Sequence, residues 1–275
     1  DKQSALAQYN CALKVIDKAQ FWHRVVKGRE RADTLVRETS VQATLTAKCG
    51  KIATFLKLRG FFETSENFVI ELELLEGTDL FQHISSKGTL PEHEAAMILR
   101  DMLTSLEAMN RVGLAHRDIK PANVLMCDRK KDGVSVKVGD FGMSTFVGVD
   151  GLVRGRCGTP GYVAPEILTG GSRIGYSNAV DVFSAGVTLY VMLCGYEPFY
   201  GENEKELIEA NKRAVIEFPE EDWGRISNDA RNLVLSMTHP DPKQRISARD
   251  ALRHPWITRL DEGNDHDRTD DSKNV

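Results

Sequence analysis

The sequence predicts an α+β fold in two lobes, a small strand-rich lobe followed by a large helical one. Three patterns carry that expectation. Short apolar and β-branched runs gather in the first third of the chain, a Glu76-Gly77-Thr78 break follows, and the residues beyond it recur mostly at helical spacing.

Taken in order, Cys11 to Ile16 and Phe68 to Leu72 are short, rich in β-branched or apolar residues, and read as buried strands. Between them, roughly Arg31 to Leu45 reads as a helix. The break at Glu76 marks a hinge over 76–79, which leaves 1–75 as the first lobe and 80–259 as the second. After a Pro91-Glu92 start, Ala96, Leu99, Leu103 and Leu106 fall on one helical face, as do Ala230, Leu233, Val234 and Met237 after Ser227. Both stripes are core faces. Within this helical region Val134, Val136 and Val138 alternate with polar residues after an Asp132-Gly133 turn, the signature of a small hairpin arm. From Leu260 onward the chain is acidic with almost nothing to bury, so 260–275 reads as a solvated, disordered tail. A calcium loop there would need a central glycine and a terminal bidentate glutamate that the spacing lacks.

With 275 residues, 41% of them hydrophobic and 28% charged, the chain has material for a sizeable core. A net charge of -4 argues against a nucleic-acid partner, because such binders neutralise phosphates with excess Lys and Arg. Cys11, Cys49, Cys127, Cys157 and Cys194 are scattered with no C-x-x-C pair, which suits reduced thiols in the cytoplasm or nucleus. The longest apolar run, about Val187 to Leu193, is too short for a membrane segment, and no signal peptide is visible.

The residues that carry chemistry are HRDIKPANVL at His116 to Leu125, DFG at Asp140 to Gly142, and GTPGYVAPE at Gly158 to Glu166. Singly each is weak; in this order and spacing they are specific. They resemble the protein kinases, over about Tyr9 to Trp256, and the resemblance implies a bilobal protein-kinase fold that uses ATP and Mg2+. Phosphoryl transfer places negative charge on the γ-phosphate and needs an aligned hydroxyl, so catalysis is mostly positioning and charge neutralisation. By that resemblance Asp118 is the catalytic base, Lys120 sets its ammonium beside the transferring phosphate, and Thr159 bridges the two. Asn123 and Asp140 match the magnesium ligands, and their oxygens suit a small, hard cation.

His116 and Phe141 match core-packing members of the same motifs, Glu166 and Arg245 a buried ion pair, and Asp181 and Gly186 the helix start that anchors the catalytic loop. Arg117 matches an arginine that receives an activation-loop phosphate in many kinases. The loop MSTFVGVDGLVRGRC offers only Ser144 and Thr145, beside the DFG, and Gly155 stands at the usual acceptor position. Activation by phosphorylation of that loop is therefore not expected.

In the first lobe CALKVIDK resembles the strand bearing the phosphate lysine, which makes Lys14 that residue and Glu38 its partner. Four residues after Glu38 the family has an apolar residue; here it is Gln42. In LELLEG the resemblance makes Leu72 the guard of the back pocket, with the Glu73 carbonyl and Leu75 amide facing adenine and Ala12 and Leu125 closing on its two faces. A glycine-rich loop over the phosphates precedes the lysine strand in the family, whereas Asp1 to Asn10 resemble only the turn and strand edge that follow it. The expectation is a first lobe without its first strands and glycine-rich loop, binding ATP weakly.

Lys120 together with GTPGY points to serine or threonine substrates, and YNCALKVIDK, GYVAPEIL, GYEPFYGENEKEL and RHPWI most resemble the calcium/calmodulin-dependent group with its calcium-dependent relatives. Asp79 is then placed to receive an arginine three residues before the target hydroxyl. A second acidic pair is absent, with Ala122 and Val191 at those positions, which implies selection for a single arginine in protein substrates. Calcium/calmodulin regulation would act through segments outside this chain, since neither a basic calmodulin-binding helix nor EF-hands occur in it. Two rivals are a pseudokinase scaffold that binds partners without phosphoryl transfer, and a small-molecule kinase, which would not need the APE and GTPGY docking segment.

Overall fold

A computed structural model describes residues 11–52, 54–129, 133–170 and 174–259. Asp1 to Asn10, Asp132 of the turn before Gly133, and the acidic tail lie outside the described residues.

The first lobe is built on one antiparallel sheet. Strand β1 (Cys11–Asp17) runs into helix α1 (Lys18–Val26), then helix α2 (Thr34–Cys49) precedes strands β2 (Leu58–Glu63) and β3 (Asn67–Glu73), and the strands order β1-β3-β2. The register sets Ala12 opposite Leu72 and Lys14 opposite Ile70. Ala12 and Lys14, two residues apart, therefore share one face of β1. The predicted strands are present, while α1 and β2 go beyond the sequence reading. Phe21 is the one buried residue of α1, so no apolar stripe announces the helix; Asp17 starts it by accepting a hydrogen bond from the Gln20 amide at 2.7 Å. In β2 a register shift between Leu58 and Gly60 interrupts the alternation that would have marked a strand.

After β3 the chain crosses to the second lobe at Gly77, where an added Cβ would stand 2.2 Å from the Met126 carbonyl oxygen. Only glycine fits that approach. The Met126 amide donates to the Thr78 carbonyl at 2.8 Å, which fastens the crossing to the hairpin behind it. Helices α3 (Leu80–Lys87) and α4 (Glu92–Arg111) follow, then strands β4 (Leu114–Ala115), β5 (Val124–Arg129), β6 (Gly133–Val138) and β7 (Thr145–Phe146). β5 and β6 form the antiparallel arm, and Asp101 of α4 braces it by accepting from Ser135 Oγ at 2.9 Å and the Val136 amide at 3.1 Å.

The remaining elements are α5 (Pro165–Thr169), α6 (Ala179–Cys194), α7 (Glu204–Arg213), α8 (Glu220–Trp223), α9 (Asn228–Met237) and α10 (Ala248–Ala251). Every residue of α6 from Val180 to Cys194 is buried, so this helix is the axis of the large core, with α4 and α9 packed on it. Gly186 permits the α9 contact, since a Cβ there would meet Met237 Cβ and Thr238 Cγ2 at 2.8 Å each. Glu166 and the buried Arg245 pair at 2.7 and 3.0 Å, and the guanidinium also donates to the Ala179 and His239 carbonyls. A second, smaller cluster of Val41, Leu45, Phe55, Met109, Leu114 and Phe141 joins α2 to the end of α4. It is the apolar joint between the lobes. Among the described residues no helix is long and apolar enough to cross a membrane.

Candidate active site

The loop after β4 carries the densest polar network in the cleft between the lobes. Asp181, in the first turn of α6, accepts the His116 amide on Oδ2 and the Arg117 amide on Oδ1, both at 2.7 Å. Those two bonds hold Arg117 in the left-handed region at φ 71, a conformation that costs a non-glycine residue energy unless its surroundings impose it. The His116 ring meets the Gly139 carbonyl at 2.9 Å and packs against the buried Phe141 ring, centroids 5.2 Å apart.

Asp118 is 6% exposed and every approach to its carboxylate is organised. Thr159 Oγ1 donates to Oδ1 at 2.7 Å, and Lys120 Nζ lies 2.9 Å from Oδ2 while donating to Thr159 Oγ1 at 2.7 Å. Asn123 Nδ2 donates to the Asp118 carbonyl at 2.8 Å and to Oδ2 at 2.9 Å. Burial works to raise the carboxyl, but the bonds from Thr159, Lys120 and Asn123 outweigh it and hold Asp118 below its usual range. It is an ionised carboxylate at neutral pH.

Across the cleft Lys14 Nζ lies 2.6 Å from Glu38 Oε1 and 3.6 Å from Asp140 Oδ1. Burial would lower the ammonium, yet attraction and hydrogen bonding to Glu38, then to Asp140, raise it, so Lys14 stays charged. Asp140 itself is left-handed at φ 51, with its side chain 54% exposed and one oxygen accepting from the Gly142 amide at 3.3 Å. Asn123 commits its amide nitrogen to Asp118, and it lines the same cavity as Asp140. A cavity of about 260 Å³ joins these groups, lined by Lys14, Glu38, Gln42, Leu72, Ala122, Asn123, Leu125, Gly139 and Asp140.

The structure thus gathers Asp118, Lys120, Thr159 and Asn123 into one network, and Lys14, Glu38, Asp140, Leu72 and Leu125 around one cavity. Ala12, Glu73 and Leu75 are outside that cavity's lining. Ala12 sits on the Lys14 face of β1, and the Glu73 side chain is turned to Lys137 at 2.6 Å and the Lys57 amide at 2.8 Å. Asp79 caps α3, accepting from the Gln82 amide at 2.8 Å. Val191 is a buried residue of α6.

Sequence reading missed a second feature. Arg117, with Arg29, Arg31 and Arg37 from the α2 approach and Arg154 and Arg156 from the loop before Cys157, edges a cavity of about 610 Å³. These arginines come from three separate segments and form no motif, so only folding brings them together. Ser144 is fully buried and bonded to the His116 carbonyl at 3.3 Å, while Thr145 lines the cavity.

Comparison with known proteins points the same way as the geometry. Residues 4–257 match the family described as the protein kinase domain. Myosin light chain kinase A of Dictyostelium discoideum is 34% identical over 90% of this chain and 78% of its own length. Calcium-dependent protein kinase 14 of Oryza sativa is 36% identical over 90% of this chain and 44% of its own length. Calcium/calmodulin-dependent protein kinase type 1 of Macrobrachium nipponense is 35% identical over 90% of this chain and 67% of its own length. The chain spans 64% of a probable myosin light chain kinase of Dictyostelium discoideum and 40% of a longer serine/threonine kinase of the same organism.

Proposed function

Because the chain belongs to the protein kinase domain family, with serine/threonine kinases of the calcium/calmodulin-dependent group as relatives, we propose that it transfers the γ-phosphate of ATP to serine or threonine hydroxyls of protein substrates. The observation that supports this most is the facing of two networks: a fixed carboxylate at Asp118 on one side, and the Lys14–Glu38 pair with Asp140 on the other.

Each residue then has a task its contacts suit. Asp118, ionised and held by three donors, aligns the substrate hydroxyl and takes its proton. Lys120 stands beside it to neutralise the group in transfer, and Thr159 keeps lysine and aspartate in register. Lys14, steered by Glu38, holds the phosphates that precede the transferring one. The donor set at Asn123 and Asp140 is oxygen only, which fits Mg2+ rather than a softer metal. Bound there, magnesium supplies charge neutralisation of the phosphates. Leu72 and Leu125 line the apolar part of the cavity, where an adenine ring fits, with Ala12 and the Glu73 and Leu75 backbone completing its surround.

The test is transfer from labelled ATP to an Arg-x-x-Ser peptide with magnesium. Asp118→Asn keeps the shape and one hydrogen-bonding oxygen but loses the base, so activity should fall at least about 100-fold. A folded wild-type protein that binds ATP yet shows no magnesium-dependent transfer would favour the scaffold reading instead.

Asp79 is proposed to receive an arginine at the minus-three position, and selection for a single arginine rests on the absence of acidic residues at Ala122 and Val191. Asp79→Asn preserves the cap, because asparagine caps as well as aspartate, and removes the charge. A peptide library should then lose its minus-three arginine preference with the melting temperature unchanged; a retained preference would reassign the contact.

Control by calcium or calmodulin through further segments is proposed on the relatives' names, and is read by assaying a longer chain with and without calcium-calmodulin. A cytoplasmic or nuclear location is proposed on five free thiols, with burial pushing Cys49, Cys157 and Cys194 up, and is read by imaging a tagged protein.

A further inference from the structure

Tyr176 joins the loop that carries Asp118 to the stretch that leads to Thr159. Its hydroxyl donates to the Gly155 carbonyl at 2.6 Å and accepts from Arg117 Nη1 at 3.4 Å. Its backbone pairs both ways with Val153, at 2.8 and 2.9 Å. Beside it Gly175 lets Leu152 approach, since a Cβ there would meet Leu152 Cβ at 2.7 Å and Cδ1 at 2.8 Å. These contacts fasten 152–155 to one buried tyrosine and the glycine before it. Burial lifts the Tyr176 phenol to about 12, so the hydroxyl keeps its proton and remains the donor.

From Phe146 to Cys157 the chain holds no serine, threonine or tyrosine, so no phosphate on this stretch can fix its position. The ion pair of Asp150 with Arg154 lies within the stretch and is exposed, so it shapes the loop without anchoring it. Arg117 reaches the segment through neutral acceptors, the Met143 and Arg154 carbonyls at 2.8 and 3.2 Å. Four residues past Gly155, Thr159 donates to Asp118 Oδ1 at 2.7 Å. Gly158 between them leaves little slack, because a Cβ there would stand 3.0 Å from the Arg117 carbonyl oxygen.

We propose that Tyr176 is a positioning residue for phosphoryl transfer: its hydroxyl, set between Arg117 and the Gly155 carbonyl, holds 152–157 so that Thr159 stays on Asp118, with no modification of the stretch required. Tyr176 touches no reacting atom and acts through Thr159. The hydroxyl is suited to this because a phenol donates once and also accepts, and both capacities are used here. A phenylalanine would keep the packing and lose the link. The role rests on the proposed transfer reaction and adds to it the contact that sets Thr159.

The experiment is steady-state transfer from ATP to an Arg-x-x-Ser peptide across pH, in wild type, Tyr176→Phe, Thr159→Val and the double variant. For Tyr176→Phe, kcat should fall about tenfold, the factor that one net hydrogen bond of about 1.4 kcal/mol gives. KM for ATP should stay unchanged, because Lys14 and the 260 Å³ cavity do not touch this stretch. The acid limb should move to higher pH, since the Asp118 carboxylate, faced also by Lys120 and Asn123, loses a well-placed donor. In the double variant the change at Tyr176 should add almost nothing. A Tyr176→Phe protein with wild-type kcat and limb overturns the role. So does an equal loss whether Thr159 is present or replaced, which would mark Tyr176 as structural only. If Tyr176→Phe is recovered unfolded, Leu152→Ala frees the same stretch at Gly175 and must move the same limb; an unmoved limb overturns the role. Wild type that transfers nothing to the peptide defeats the kinase reading itself, whereas an active wild type with an equally active Tyr176→Phe defeats only this role.

Discussion

Three neighbours hold the Asp118 carboxyl below its usual range against the effect of burial, and removing one of them tests the balance. Its carboxyl is lowered from an ordinary 3.8, so its contribution to stability is present above that value and is lost as pH falls through the lower folded value. Thr159→Val deletes the donor to Oδ1 while keeping the shape, and should shift the acid limb of the pH–rate profile to higher pH. An unchanged limb would mean that Lys120 and Asn123 alone set the carboxylate. At this scale the residues standing inside contiguous motifs were the readable ones: Asp118, Lys120, Asn123 and Asp140 are announced by their neighbours in sequence. Lys14 and Glu38 are 24 residues apart and needed a family resemblance to be paired. The bond of Glu73 to Lys137, 64 residues away, left no trace in the chain, because two isolated charges in separate strands look like any solvated pair.

Among elements, α6 shows what periodicity reveals and what it hides. A helix buried on every side has no stripe, and the run from Val187 to Leu193 was read only as too short for a membrane. α4 and α9 are half-exposed, and their apolar faces were plain. What the sequence held without showing was the α6–α9 approach at Gly186. Gly186→Ala must push apart Met237 and Thr238, so we expect a loss of about 1–3 kcal/mol in urea unfolding, the usual cost of overpacking. Stability equal to wild type would show that α9 can slide. α1 and β2 stayed hidden for the opposite reason: each buries too little, or too irregularly, for its own residues to declare it, and each is completed by neighbours.

Over the whole molecule the order of lobes was readable, since a change from strand-like runs to helical spacing survives any packing detail. How the lobes meet was not. Phe141 enters the small cluster with Val41 and Leu45 of α2, and Gly77 passes under Met126; both contacts are between residues far apart in sequence. The pairing of Phe141 with α2 also ties the metal-ligand candidate Asp140 to the helix that steers Lys14.

The ring of arginines between α2 and the loop before Cys157 gives the protein a relation to its solvent that its modest net charge of -4 conceals. Six guanidinium groups share one opening; Arg31 and Arg37 pair with Asp33 and Arg154 with Asp150, which leaves positive charge in excess there, and in dilute buffer, with a Debye length of about 30 Å at 0.01 M, that excess is little screened. At about 0.15 M that reach shrinks to about 8 Å. Added sodium chloride should therefore raise the melting temperature over this range, and Arg156→Gln should blunt the rise; a melting point that falls with salt would show that attraction, not repulsion, governs this opening. Mobile counter-ions would then be part of what holds this face of the fold together.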